Sequence, residues 1–167
     1  MNYKSMITQK AQELFELYPI YKEVYVTAES LTAGLIGASI VEIPGSSAYF
    51  DRGFITYSNE AKMECLGVSE DTLKSYGAVS EQTVVQMATG ALLKSSLGTM
   101  SVAVSGIAGP DGGTDEKPVG LVYIGLAIRD KVEVRRFQFS GNREKNRDYA
   151  VVRALTMLRE ALINDRG

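Results

Sequence analysis

The sequence of 167 residues contains no histidine, and this absence excludes several kinds of catalytic site. Without an imidazole the protein can have neither a Ser-His-Asp triad nor a Cys-His dyad, and no histidine can bind a metal. It also has a single cysteine, Cys65, which excludes an internal disulfide and any zinc or iron–sulfur site built from several cysteines. If the protein is a hydrolase, its general base must therefore be Lys, Tyr, Asp, Glu or a metal-bound water.

A strong net charge and long apolar runs are also absent. The chain has 18 Lys and Arg against 20 Asp and Glu, so it lacks the basic excess of a protein that coats nucleic acid, and we expect no nucleic-acid partner. No stretch approaches the ~18 apolar residues of a membrane span, and residues 1–6 lack the apolar run of a signal peptide. We therefore expect a cytoplasmic protein that does not bind membranes, and the lone thiol agrees with a reducing compartment.

What remains is the composition of an ordinary globular domain, with 45% apolar and 23% charged residues. No linker, low-complexity tract or repeat divides the chain, so we expect residues 1–167 to form a single domain. Domains of this size often associate as symmetric dimers, and we expect a homo-oligomer, either a dimer or a higher assembly.

Helix and strand patterns alternate along the chain. Strands are predicted at about 23–28, 50–57, 100–104, 119–128 and 132–139, and helices at about 7–18, 31–43, 59–67, 69–77, 80–92 and 143–162. Pro19 is predicted to end the first helix, and the last two strands read as a hairpin around residues 129–130. Strands that alternate with helices and end in a hairpin predict an α/β layered domain with a mixed sheet.

The first candidate site is the small, polar segment 27–34, at a predicted junction between a strand and a helix. Ser30 would lie at the carboxyl end of the strand and against the N-terminus of the helix. Free N–H groups at such a position can hold a phosphate or stabilise an oxyanion. The alternative is that Ser30 only caps the helix.

The second candidate is the segment 57–62, in which Tyr57 ends a predicted strand and Lys62 follows in the first turns of a helix that Asn59 can cap. The helix dipole opposes a positive charge there, and burial would further favour the neutral amine. Both effects are what a lysine general base requires. The alternative is an ordinary solvated surface lysine.

Two further segments could bind a ligand. The glycines of the loop 106–113 permit close backbone approach to a ligand, although the loop could equally be a tight connection built on turn residues. The mixed-charge run 141–148 opens the last helix and is typical of a solvated face, but an arginine there could reach an anionic ligand.

Five motifs in register resemble those of a known family. In chain order they are ESLTAG (29–34), GSSAYF (45–50), GFITYSNEAK (53–62), GAVSE (77–81) and SGIAGPDGG (105–113). Together they resemble the CinA C-terminal domain family, whose stand-alone members include nicotinamide-nucleotide amidohydrolases of the PncC type. The likeness runs from about residue 27 to residue 153. It implies a three-layer α/β/α sandwich whose mixed, mostly parallel sheet ends in an antiparallel hairpin.

The resemblance implies an enzyme that hydrolyses the carboxamide of nicotinamide mononucleotide to nicotinate mononucleotide and ammonia, in the recycling of pyridine nucleotides, without a cofactor or a metal. It implies Ser30 as nucleophile, Lys62 as general base, and Tyr57 as a residue that positions or relays the proton. Backbone N–H groups near Ser30 or in the loop 106–113 would stabilise the oxyanion. The residues implied to bind this small-molecule substrate are Glu29, Thr32, Gly34, Ser105, Gly106, Gly109, Asp111, Gly112 and Arg147.

The chain departs from the family in its first motif, which is usually Glu-Ser-Cys-Thr-Gly-Gly. Here Leu31 excludes a cysteine nucleophile at that position, and Ala33 adds a methyl group where the family has glycine. Ala33 favours an alternative function, a nucleotide-binding regulatory module of weak turnover that is linked to competence or DNA-damage responses. A metal-dependent hydrolase using Asp111 and Asp115 is a third possibility, but one flexible loop offers few fixed ligands.

Overall fold

The computed structural model describes residues 2–164, which contain a five-stranded sheet and six α-helices. The strands are β1 (Tyr25–Glu29), β2 (Phe50–Ile55), β3 (Met100–Gly106), β4 (Leu121–Ile128) and β5 (Lys131–Gln138). The helices are α1 (Tyr3–Tyr21), α2 (Leu35–Val41), α3 (Asn59–Leu66), α4 (Glu70–Tyr76), α5 (Glu81–Lys94) and α6 (Arg143–Asn164), and a short 3-10 helix spans Ser46–Ala48.

The strand order is β2-β1-β3-β4-β5. Strand β1 pairs in parallel with both β2 and β3, whereas β4 is antiparallel to β3 and to β5. All strands except β4 therefore run in one direction, and β4–β5 is the predicted hairpin. The α/β class and the mixed sheet are confirmed.

Each face of the sheet buries its own hydrophobic core, because successive strand side chains point to opposite faces. Tyr25 packs on one face with residues of α1, α2 and α6. Val26 and Ala28 pack on the other face with residues of α3, α4 and α5. The sheet is thus the middle layer of the predicted three-layer sandwich. No helix within residues 2–164 is long and apolar enough to cross a membrane.

Three predicted boundaries are wrong, each for a local reason. Pro19 lies inside α1, where its missing N–H removes one hydrogen bond near the end, and the helix stops only when Lys22 turns left-handed. Helix α2 begins at Leu35 rather than at residue 31, since Ala33 and Gly34 have positive φ angles that a right-handed helix cannot contain. Ser58 rather than Asn59 caps α3, with its hydroxyl accepting from the Ala61 N–H.

Candidate active site

The carboxyl ends of the three parallel strands form a polar edge of the sheet. Glu29 ends β1, Thr56 directly follows β2, and Ser105 is the penultimate residue of β3. The ends meet because Glu29 is in register with Ile55 on one side and with Val104 on the other. Ligands of open α/β sheets collect outside the carboxyl ends of the strands, so this edge is the candidate site.

Ser30 and Lys62 lie side by side at this edge. The Lys62 Nζ atom is 3.1 Å from Ser30 Oγ, and the two side chains are 1% and 6% exposed, respectively. Ser30 is fixed by its N–H, which donates to the Val104 carbonyl of β3, while α3 carries Lys62 in from the other side. The sequence analysis left a solvated lysine open, and the burial of Lys62 shows that this alternative is wrong.

The remaining partners of the Lys62 amine are two backbone carbonyls. Nζ donates to Thr56 O at 2.9 Å and to Tyr57 O at 3.0 Å, and no carboxylate of residues 2–164 forms an ion pair with it. Burial lowers the pKa of Lys62 from its ordinary 10.5 to about 8. A neutral amine has two N–H groups and one lone pair. With both N–H groups donated to the carbonyls, the lone pair points at the Ser30 hydroxyl.

Tyr57 contacts this pair through its backbone and not through its phenol. Its carbonyl accepts from Lys62, whereas its side chain is 63% exposed and its hydroxyl accepts from Arg143 Nη2 at 3.5 Å. The predicted part of Tyr57 is to position or relay the proton, and the contact that the structure shows is one in which its carbonyl orients the Lys62 amine. A proton relay through the phenol stays a prediction.

Glu29 is predicted to bind substrate, but its carboxylate is hydrogen-bonded to other groups of the protein. Its carboxylate is 1% exposed and accepts five hydrogen bonds. The donors are the hydroxyls of Thr27 and Thr32 and the N–H groups of Gly34, Ile36 and Gly37. A carboxylate has about four lone-pair sites, so none is left for a ligand. Glu29 holds the turn 31–34 against the start of α2, and it fixes Thr32 and Gly34 in the same network.

Two N–H groups directly after Ser30 are left without a partner. Ala33 donates to Ser30 O, and Gly34 donates to Glu29, but the N–H groups of Leu31 and Thr32 donate to no residue in the stretch 2–164. They lie in the turn that Glu29 holds, directly after Ser30 in the chain. Such N–H groups are the donors that an oxyanion formed at Ser30 requires.

The predicted residues at the end of β3 and in the loop after it differ in exposure: Ser105 and Gly109 are buried, whereas Gly112 is exposed. The Ser105 hydroxyl is buried and donates to the Ala78 carbonyl, so it fixes the approach to α5. A side chain at Gly106 would lie 2.6 Å from Val122 Cγ2, which leaves room only for glycine. Gly109 and Gly112 both have positive φ angles.

The acidic residues of that loop do not gather into a metal site. Asp111 and Asp115 are both exposed. Within residues 2–164, no three side chains of His, Cys, Asp or Glu are grouped so that they could hold a metal ion. The donor set that the metal-dependent alternative requires is therefore not assembled in the described chain.

The start of α6 holds the turn after Ser30 and the loop after β3 through three side chains. Arg147 Nε donates to the Leu31 carbonyl at 2.7 Å, and Arg143 Nη1 donates to the Gly109 carbonyl at 2.7 Å. Asn146 is fully buried, and its amide donates to the Ala108 carbonyl at 3.0 Å. Arg147, predicted to bind substrate, thus anchors the turn beside Ser30.

Two contributions to the site were missed by the sequence analysis. The Thr56 and Tyr57 carbonyls are backbone groups, which residue types do not reveal. Arg143 and Asn146 belong to the mixed-charge run 141–148, where neither stands out from its neighbours. The useful signal is that Arg143 lies three residues before Asn146 and four before Arg147, and residues three or four apart share a helix face.

The chain is similar to a known protein family and to several solved structures. The sequence model of the CinA C-terminal domain family matches residues 7–162. The chain belongs to this family. It is 58% identical over 139 residues to a nicotinamide-nucleotide amidohydrolase PncC of Enterobacter agglomerans, with 82% of this chain and 84% of that protein covered. It is 53% identical to a CinA-like protein of Endomicrobium trichonymphae, with 85% of this chain but only 33% of that protein covered.

Other curated family members are much longer than this domain. The chain spans about a third of the length of the first curated relatives it matches. Among solved structures, it resembles the competence/damage inducible protein CihA of Agrobacterium tumefaciens with a TM-score of 0.89 and 45% identity, covering 94% of this chain and 95% of that one. A competence damage-inducible protein of Klebsiella pneumoniae gives a TM-score of 0.90 at 34% identity, with 94% and 97% covered.

Proposed function

We propose that the protein is a serine–lysine amidohydrolase that converts nicotinamide mononucleotide to nicotinate mononucleotide and ammonia. The observation that carries the proposal is the buried contact of 3.1 Å between Ser30 Oγ and Lys62 Nζ in a chain without histidine. The choice of substrate is supported by the name of the 58% identical relative from Enterobacter agglomerans. Recycling of pyridine nucleotides is the process that this reaction would serve.

In the first half of the reaction, the neutral Lys62 amine removes the proton of Ser30 while Oγ bonds to the carboxamide carbon. The carbonyl oxygen becomes an oxyanion and accepts hydrogen bonds from the free N–H groups of Leu31 and Thr32. As the tetrahedral intermediate collapses, the C–N bond breaks and Lys62 returns its proton to the leaving nitrogen. Ammonia departs, and the nicotinate group remains as an ester on Ser30.

In the second half, water replaces ammonia. Lys62, again neutral, removes a proton from a water that attacks the ester carbon. The same two N–H groups stabilise the second oxyanion. The bond between the carbon and Ser30 Oγ then breaks, Lys62 returns the proton to Oγ, and nicotinate mononucleotide leaves.

The two backbone carbonyls give the lysine its direction throughout this cycle. Thr56 O and Tyr57 O accept from Nζ in both protonation states, so the third tetrahedral position of the nitrogen always faces Ser30. A protonated amine donates to Ser30 Oγ there, and a neutral amine presents its lone pair. The general base is therefore aligned before substrate binds, which is the preorganisation that catalysis favours.

The test is ammonia release from a panel of amides that contains nicotinamide mononucleotide, the intact dinucleotide and simple carboxamides. Ser30→Ala is expected to abolish release, and EDTA is expected to leave it unchanged. Because burial lowers the pKa of Lys62 to about 8, kcat/KM of the wild type should rise with pH and level off above that value. Full activity of Ser30→Ala would refute the nucleophile.

The second candidate function is a regulatory module that binds the nucleotide without turning it over. It is favoured by Ala33, which stands beside the site with a φ of 47°, and by relatives named for competence or damage induction. Tight binding of the mononucleotide with no ammonia after long incubation would select it. Homo-oligomer formation stays a prediction under either function, and sedimentation of the purified chain would test it.

A further inference from the structure

We propose that Arg143 and the ring of Tyr57 form the recognition element for a substrate that carries a cationic ring at one end and a phosphate at the other. In this assignment Arg143 binds the phosphate, and the Tyr57 ring packs against the pyridinium. The assignment rests on the proposed amidohydrolase function. It gives the phenol of Tyr57 a part in binding, and it assigns the phosphate to Arg143, whereas the resemblance implied Arg147 as a substrate-binding residue.

Arg147 is less accessible to a ligand than Arg143. It is half-buried, and Nε donates to the Leu31 carbonyl next to Ser30 at 2.7 Å, so that it holds the turn 31–34. In this proposal Arg147 is therefore a positioning residue.

Arg143 has the opposite surroundings. It is exposed, it forms no ion pair with any carboxylate of the described residues, and its contacts are the Gly109 carbonyl and the Tyr57 hydroxyl. A guanidinium has five N–H donors in a planar fork. Two are used in these contacts, which leaves three for an anion, and the fork matches the geometry of phosphate oxygens.

The position of Arg143 matches the shape of the substrate. Tyr57 spans the distance between the two ends of the site, since its carbonyl accepts from Lys62 and its hydroxyl accepts from Arg143. The reacting pair and the free guanidinium are thus separated by the length of one tyrosine. In nicotinamide mononucleotide, the carboxamide and the phosphate likewise lie at opposite ends, with the ring and the ribose between them.

The Tyr57 ring offers a surface along this path. Its side chain is 63% exposed although it is held at both ends, by the Lys62 contact to its carbonyl and by Arg143 at its hydroxyl. The pyridinium of the mononucleotide carries a positive charge, and a cation is attracted to the face of an aromatic ring. The negative phosphate then lies beside the positive guanidinium.

The test compares nicotinamide mononucleotide with nicotinamide riboside, which has the same pyridinium and ribose but no phosphate. The readout is the ratio of their kcat/KM values. Arg143→Ala is expected to reduce this preference for the mononucleotide by about tenfold to a hundredfold, since a hydrogen bond between charged groups contributes about 1.5–3 kcal/mol. Arg143→Lys should recover only part of it. Arg153→Ala, an exposed arginine further along α6, is the matched control and should keep the wild-type ratio.

The Tyr57 variants test the ring separately from the hydroxyl. Tyr57→Ala is expected to raise KM for both substrates, because both contain the pyridinium, and Tyr57→Phe should raise KM less because it retains the ring. The assignment would be overturned if Arg143→Ala kept the wild-type ratio of kcat/KM between the mononucleotide and the riboside. It would also be overturned if the kcat of Tyr57→Phe were as low as that of Lys62→Arg. The second result would make the phenol a proton-transfer group.

Failure of the proposed function is distinguishable from failure of this inference. If the wild type releases no ammonia from either compound, the amidohydrolase proposal fails, and the recognition element is then measured by calorimetric binding. Wild-type protein should bind the mononucleotide more tightly than the riboside, and Arg143→Ala should lose most of that difference. Equal affinity of the wild type for both compounds would refute the phosphate assignment.

Discussion

Two buried ionisable side chains flank Ser30, and their surroundings differ sharply. Glu29, which precedes Ser30 in the chain, accepts five hydrogen bonds from hydroxyl and N–H donors. Lys62, in contact with the Ser30 hydroxyl, has two carbonyls as its other partners, and no carboxylate of the described chain pairs with it. Both side chains are 1% exposed, so burial alone does not distinguish them.

The difference teaches what makes a buried group reactive. The five donors around Glu29 occupy the lone-pair sites of its carboxylate. The side chain therefore holds the turn and has no site left for a ligand. The carbonyls around Lys62 are neutral and do not offset a full positive charge, so that burial lowers the pKa of the amine to about 8. The first pocket fixes a loop, and under the proposed function the second exchanges a proton.

The largest expected effect tests the second pocket. Lys62→Arg keeps a long cationic side chain but cannot lose its proton near neutral pH, so it cannot act as a base. We expect at least about a thousandfold loss of ammonia release, within the range that general acid–base catalysis contributes. Lys74→Arg, on the exposed face of α4, is the control and should keep wild-type activity. Retention of a tenth of the activity by Lys62→Arg would mean that proton exchange is not the purpose of this pocket.

The second prediction tests the first pocket. Glu29→Gln keeps the shape of the side chain but places an NH2 group where an oxygen accepts from N–H groups or hydroxyls. We expect a loss of about 3 kcal/mol in the free energy of unfolding, measured by denaturant titration, because donors would be left unsatisfied in a buried site. Glu42→Gln, exposed just after α2, should change stability by less than about 0.5 kcal/mol. Equal stability of Glu29→Gln and wild type would remove the contrast between the two pockets.

The third prediction concerns how Lys62 affects stability at different pH values. Its folded pKa of about 8 lies below the ordinary 10.5, so the unfolded chain binds more protons between these values, and the stability contributed by this group must rise with pH there. Below pH 8 the destabilisation by the buried charge is complete. Relative to Lys62→Met, the wild type should therefore gain up to about 3 kcal/mol between pH 8 and 10.5, at about 1.4 kcal/mol for each unit of pKa.

Comparison with Lys62→Met cancels the contributions of other groups that titrate in the same range, such as the buried Tyr25 and Tyr49, whose pKa values are raised by burial. The measurement is the free energy of unfolding of both proteins at several pH values. A difference that stays constant from pH 7 to 10.5 would show that the amine keeps its proton in the folded protein.

The contact between Ser30 and Lys62 was easier to predict from the sequence than the surroundings of the two side chains. Ser30 at a strand end and Lys62 near a helix start follow from local patterns, and parallel strands bring such ends together. The part of Glu29 could not be foreseen, because it depends on the turn at Ala33 and Gly34, whose left-handed angles also shortened α2. The layers and the hairpin were predictable because strand and helix periodicities are set by burial, which acts over whole elements.

The smallest expected effect concerns the turn 31–34, which Glu29 holds. Ala33 has a φ of 47°, a conformation that raises the energy of a residue with a Cβ atom by about 1 kcal/mol. Its side chain is exposed, so Ala33→Gly removes no packing, although glycine also gains freedom in the unfolded chain. We expect a net gain of about 0.5 kcal/mol in the free energy of unfolding.

Ala38→Gly, on the exposed face of α2, is the matched control for Ala33→Gly and should lose about 1 kcal/mol, because its backbone is right-handed helix. A loss of stability in both variants would mean that the turn is not strained. Ammonia release by Ala33→Gly tests whether the methyl group of Ala33 limits turnover. A rise in kcat would show that the alanine restrains turnover in an otherwise competent amidase, and a wild-type rate would show that a methyl group here leaves the reaction between Ser30 and Lys62 unaffected.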